Sequence, residues 1–117
     1  MAGWSFDYDV LRRILEEAGL RARVEKMRIK DLRGIVREET WIAGYSSDND
    51  FIVRLRLSSE AAKIIIIASA IRADDEMIEL LEELGASIEL GEDGRLYASL
   101  KIGGEDVIET LKRVLKE

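Results

Sequence analysis

The chain contains no histidine, no cysteine and no proline in 117 residues, and the first two absences each close a field of chemistry. Without cysteine there are no disulfides, no thiolate nucleophile and few routes to a structural zinc site. Without histidine the commonest metal ligand and the commonest general base are gone. Long apolar runs are missing too: the longest, IIIIASAI from Ile64 to Ile71, is far too short to cross a bilayer. The N-terminal MAGWSFDYD has no basic segment ahead of an apolar stretch and does not read as a secretory signal. The expectation is a soluble cytoplasmic protein with no cofactor, no metal and no membrane partner.

What is present is a chain 47 % hydrophobic and 36 % charged, with little uncharged polar filler. That balance resembles proteins from very hot environments, where charged surface networks gain in value and thermolabile residues are disfavoured. The length suits a single domain over residues 1–117, burying roughly two thirds of the surface its unfolded chain would expose. The formal net charge is −6, yet it is unevenly spread. Residues 1–60 carry 11 basic and 11 acidic side chains, residues 61–117 carry 7 and 13. Between Arg21 and Arg37 the basic side chains Arg21, Arg23, Lys26, Arg28, Lys30, Arg33 and Arg37 face only Glu25 and Asp31. A local basic face on an acidic protein suits a charged partner or simply a solvated surface.

FDYDVLRRILEEAGL has the apolar spacing of one helical face, with Asp7 or Asp9 as cap and Gly19 as left-handed stop. RARVEKMRI alternates with a slip of phase, which predicts a strand bulged near Glu25 or Lys26. KDLRGIVREE puts Leu32, Ile35 and Val36 on one side behind Asp31 and predicts a short helix. TWIAGYS and FIVRLRLS are strands joined through SSDND. The segment from 59 to 73 is open to a helix or a strand; four consecutive isoleucines favour a strand over Lys63–Ile71, covered on both faces. Asp74 then caps a helix ended by Gly85. SIEL and RLYASLKI make a hairpin through GEDG, with Leu96, Ala98, Leu100 and Ile102 inward and Tyr97, Ser99 and Lys101 outward. An amphipathic helix, EDVIETLKRVLKE, closes the chain. The fold class is α+β, a largely antiparallel sheet with helices packed mainly on one face.

The tests for chemistry are mostly negative. Adjacent acids at Asp74/Asp75, Glu38/Glu39 and Glu92/Asp93 sit at helix ends or turns, where capping and solubility explain them. Asp48-Asn49-Asp50 starts like a calcium loop, but Val53 stands where its glycine belongs and Ser59 where its bidentate glutamate belongs. Neither GEDG nor IGG has the spacing of a phosphate loop. No catalytic residues are assigned, and an enzyme is not expected.

Recognition by stacking and charge remains. Single strands are held by basic grooves with aromatic platforms, each stacked base contributing roughly 1–3 kcal/mol. Trp41 and Tyr45 are the stacking candidates; Arg54, Arg56, Arg28, Lys30, Arg33 and Arg37 are the phosphate candidates. Their arrangement depends on hairpin register. With an odd loop, Ser46–Asp50, Tyr45 pairs with Phe51 and Trp41 with Leu55, so the aromatics join the core while Arg54 and Arg56 face away. With an even loop Tyr45 opposes Ile52, Ala43 opposes Arg54 and Trp41 opposes Arg56, and rings and guanidinium groups share a side. The apolar pattern favours the odd register.

A small α+β domain of this composition, with a basic stretch and a sheet bearing Trp41, Tyr45, Arg54 and Arg56, resembles the archaeal ThermoDBP-related single-stranded DNA-binding proteins. That resemblance covers about residues 20–60 and implies a cleft of aromatic and apolar side chains flanked by basic ones. A second resemblance, to the YbjN and type III secretion chaperone-like fold, takes residues 21–39 as an insertion and implies protein binding. The expectation is a non-enzymatic binder of single-stranded DNA or RNA; the alternative is a protein-interaction or chaperone-like module, a possible homodimer.

Overall fold

The structure, a computed structural model, describes residues 8–57 and 61–116. The Asp7 cap and residues 59 and 60 therefore lie outside the described residues. Helix α1 (Tyr8–Glu17) is followed by strands β1 (Arg21–Lys30), β2 (Val36–Tyr45), β3 (Phe51–Leu57) and β4 (Ala61–Ala68). Helix α2 (Asp75–Glu83), strands β5 (Ser87–Leu90) and β6 (Leu96–Gly103), and helix α3 (Val107–Lys116) complete the chain. The six strands form one antiparallel sheet in the order β1-β2-β3-β4-β6-β5. This is the α+β architecture expected, with the three helices packed on one face.

The helices form where local signals are strong. Leu11 and Leu15 of α1, Leu81 of α2 and Val107, Leu111 and Val114 of α3 fall one or two turns apart and are all buried. Gly19 (φ +89°) turns the chain out of α1, and Leu20 follows it into the core, its N–H donating to Leu15 O at 3.1 Å. Asp74 caps α2, its carboxylate accepting from Met77 N at 2.9 Å, and Gly85 (φ +83°) ends it. Ile108 of α3, beside the buried stripe of that helix, is exposed. The sheet gives these helices Ile42, Phe51, Val53, Leu55, Ile64, Ile66, Ala98 and Leu100 as the floor of one hydrophobic cluster. Gly44 lets α1 come close: a Cβ there would sit 3.1 Å from both Leu15 Cδ2 and Leu20 Cδ1. The isoleucine run is a strand, with Ile64 and Ile66 buried beneath the helices and Ile65 and Ile67 alternating to the other side.

Three expectations are corrected. Residues 31–39 hold no short helix. Asp31, read as a helix cap, instead closes a hairpin, its carboxylate accepting from Arg33 N at 2.8 Å and Ile35 N at 2.9 Å. Gly34 at φ +84° completes that three-residue turn, and β2 starts at Val36 after Ile35. β1 has no bulge either: pairing runs unbroken from Arg21↔Tyr45 to Lys30↔Val36. The apparent slip arises because, among the described residues, β2 pairs with β3 only over Trp41–Tyr45, so the outer hairpin follows no single buried face. From Lys26↔Thr40 to Lys30↔Val36 it is a two-stranded arm, about 17 Å long at the usual rise. The radius of gyration, 14.4 Å, exceeds the value near 13 Å of a compact chain this long, as a projecting arm requires.

The third correction concerns the β2–β3 hairpin, which takes the even register: Tyr45 opposes Ile52, Ala43 opposes Arg54 and Trp41 opposes Arg56. Ser46 sets it. Its N–H donates to Phe51 O at 2.9 Å, its hydroxyl accepts from Phe51 N at 3.0 Å and donates to Asp50 Oδ1 at 2.7 Å. Four residues, Ser47–Asp50, form the loop, with Asn49 at φ +60°. The apolar pattern misleads because these strands bury side chains on both faces: Ile42, Val53 and Leu55 under the helices, Trp41, Ala43 and Ile52 on the reverse.

Candidate nucleic-acid interface

Among the described residues no helix covers the reverse face, and the strand registers arrange its side chains in rows across the sheet. One row reads Glu25, Trp41, Arg56, Lys63, Lys101 from β1 to β6. The next reads Arg23, Ala43, Arg54, Ile65, Ser99, and the third Arg21, Tyr45, Ile52, Ile67, Tyr97. Even pairing therefore brings Trp41, Tyr45, Arg54 and Arg56 together.

Each ring carries a guanidinium over its face. Arg56 lies 5.8 Å from the Trp41 ring and Arg23 lies 5.0 Å from that of Tyr45. Trp41 is only 7 % exposed. Its Nε1 donates to Glu39 Oε1 at 3.2 Å, and the same carboxylate takes Arg56 at 3.4 Å and Arg37 at 3.2 Å. Glu39 thus gathers one indole and two guanidinium groups while itself only 12 % exposed. Tyr45 mirrors the arrangement: its hydroxyl donates to Glu25 Oε2 at 2.8 Å, and Arg23 Nε reaches the same oxygen at 2.9 Å. The Tyr45 hydroxyl first, and Glu25 second, push the pKa of Arg23 still higher, so it stays cationic at any ordinary pH.

Arg54 sits in the middle row with its Nε enclosed and without a hydrogen-bond partner. A hollow of about 260 Å³ opens beside Arg21, Arg23, Tyr45 and Asn49. A smaller one of about 130 Å³ lies against Arg56, Lys63 and Lys101.

The remaining predicted residues are dispersed along the arm. Arg37 shares the reverse face and joins the cluster through Glu39. Arg28 and Lys30, one residue out of phase with Met27 and Ile29, project to the other side, and Arg33 stands at the hairpin tip. Sequence reasoning missed Glu25 and Glu39, the acids that hold the cations in place, and it missed Lys63 and Lys101. Lys101 was legible as outward-facing, but nothing local shows that β4 and β6 pair and set it beside Lys63.

The described residues hold no cluster of three or more acids fit for a metal ion, and no described helix is long and apolar enough to cross a membrane. No family model, no curated protein and no solved structure matches the chain.

Proposed function

We propose that the chain is a non-enzymatic binder of single-stranded nucleic acid, acting through the reverse face of its sheet, in a cytoplasmic and heat-adapted setting. One observation carries the reading: the even hairpin register sets Trp41 and Tyr45 on the same side as Arg54 and Arg56. Arg37 extends this surface toward the arm, while Arg28 and Lys30 carry positive charge on the arm's other side and Arg33 carries it at the hairpin tip. The rings lie under guanidinium lids, so a strand engages in two stages. Phosphate oxygens first draw Arg23 and Arg56 away, since charge-assisted bonds to phosphate compete well with a ring face. Bases then occupy the uncovered rings. This is also the mode of binding that the resemblance to the ThermoDBP-related proteins implies.

Binding of a fluorescent oligonucleotide at two salt concentrations is the test. Affinity is expected to fall steeply with salt, and absence of binding at low salt rejects the proposal.

A second reading has its own support. The arm exposes Met27, Ile35 and Val36, Leu32 at its tip is completely open, and Val24 at its base is exposed too. Apolar side chains gathered on a projecting ribbon suit a protein partner or a second copy of the chain. Light scattering that shows a dimer, together with indifference to oligonucleotides, favours this reading over the first.

A further inference from the structure

Arg56, Lys63 and Lys101 stand directly opposite one another on three adjacent strands, β3, β4 and β6. Neighbouring strands lie about 4.8 Å apart, so three cationic side chains rise from a line about 10 Å long. Like charges placed directly opposite across a ladder destabilise it. Neither lysine takes part in an ion pair among the described residues. Of this row Glu39 meets only Arg56, and it is already shared with Arg37 and Trp41. Among the described residues the row therefore has no ion-paired acid at its lysine end. Beside that row is the hollow of about 130 Å³, bordered otherwise by Ala61 and Ala62, whose small side chains leave the space open.

The geometry points to a phosphate-binding subsite formed by Arg56, Lys63 and Lys101. Its size suits a single phosphate group, and its chemistry suits a point-charge clamp by two ammonium groups with a guanidinium beside them. The inference rests on the strand-binding reading and deepens it: the subsite takes one backbone phosphate, next to the Trp41 ring in the same row. It also assigns Arg56 two tasks, a lid on the indole while the face is empty and a phosphate ligand when a strand is bound.

The test compares the whole chain with the Lys63→Gln/Lys101→Gln double variant. The probes are a labelled oligonucleotide, an abasic strand of equal length and pyrophosphate. Losing the one phosphate that the subsite holds is expected to lower the slope of log affinity against log salt by about 0.7, the value per phosphate contact on a single strand. The abasic strand is expected to show the same loss, because the subsite reads no base. The melting temperature of the variant is expected to stay level or rise, since a like-charge row has been removed.

A variant that binds both strands with the parent's slope overturns the subsite and leaves the strand-binding reading standing. Pyrophosphate that stabilises the parent but not the variant, with no strand bound by either, supports the subsite and overturns that reading. Absence of every response overturns both.

Discussion

Glu39 offers the sharpest perturbation, because the arrangement around it makes stability and binding move in opposite directions. Its carboxylate accepts from the Trp41 indole at 3.2 Å and pairs with Arg37 at 3.2 Å and Arg56 at 3.4 Å. Glu39→Gln keeps an oxygen for the indole and removes the charge. The Arg37 side chain is 64 % exposed, so solvent screens its pair and the loss there is a few tenths of a kcal/mol. The Arg56 side chain is 30 % exposed and packed on the ring, and its charge-assisted bond contributes about 1–2 kcal/mol. The sum, about 1–2 kcal/mol, corresponds to a melting temperature lower by about 4–10 °C in a domain of this size. The same change releases two guanidinium groups on the reverse face and shifts the formal net charge from −6 to −5. Affinity for a single strand is therefore expected to rise. Circular dichroism melts and anisotropy of a labelled oligonucleotide read the two effects separately. A melt that does not move refutes the structural role of Glu39. Affinity falling in step with stability refutes its role as internal competitor.

Other perturbations probe the frame. Gly44→Ala is expected to cost about 1–3 kcal/mol in urea unfolding with unchanged m, because its methyl group would press on Leu15 and Leu20 at 3.1 Å. Gly91→Ala is expected to dislodge the Tyr97 ring, whose Cε1 would lie 2.5 Å from the new Cβ, seen as a change in tyrosine near-ultraviolet dichroism. Tyr97 donates to Asp93 Oδ2 at 2.7 Å, and this bond holds the Asp93 carboxyl below its ordinary range and the Tyr97 phenol above its own. A depressed carboxyl stabilises the fold above its unfolded pKa and ceases to do so as pH falls through the folded value. A raised phenol stabilises below its unfolded pKa and ceases to do so as pH rises through the folded value. Melts of the parent and Tyr97→Phe should accordingly differ at neutral pH and converge in acid; a constant gap contradicts the linkage. Amide hydrogen exchange should be fast in the arm at Met27–Ile29 and Arg37–Glu39 and slow at Ile64–Ile66, and equal protection would mean that the arm is not an independent ribbon.

The three helices and the β5–β6 hairpin were legible because their signals are local. Asp74, Gly85 and Gly19 punctuate the chain within a turn of the apolar side chains they serve. The isoleucine strand was legible because β-branched side chains on every face suit a central strand. The arm was not, since Asp31 ahead of Leu32, Ile35 and Val36 has the spacing of a capped helix; only the left-handed Gly34 and the long β1–β2 ladder make it a hairpin. Nor was the β2–β3 register. The sequence argument placed Trp41, Tyr45, Phe51 and Leu55 together on the core face, whereas Trp41 lies on the reverse face with Arg56 over its ring and Glu39 on its indole nitrogen. Of the site, Trp41, Tyr45, Arg54 and Arg56 could be named from the sequence as alternatives awaiting a register. The row through Lys63 and Lys101 required a pairing between strands separated by α2 and β5.

The acidic net charge counts against a polyanion partner only if it is spread evenly, and the sheet divides it. Asp74, Asp75, Glu76, Glu79, Glu82 and Glu83 all lie in or at the start of α2, which packs on the helical side. Arg23, Arg54, Arg56, Lys63 and Lys101 project from the reverse. A molecule divided in this way repels a polyanion from one side and attracts it to the other, so the field orients the encounter before contact is made. The separation also explains why Glu25 and Glu39 matter more than their number suggests. They are acids on the cationic side, each bound to a guanidinium that covers a ring, and under the proposed function an incoming strand has to displace them. The acids of α2 stand on the opposite side of the sheet and take no part in that exchange.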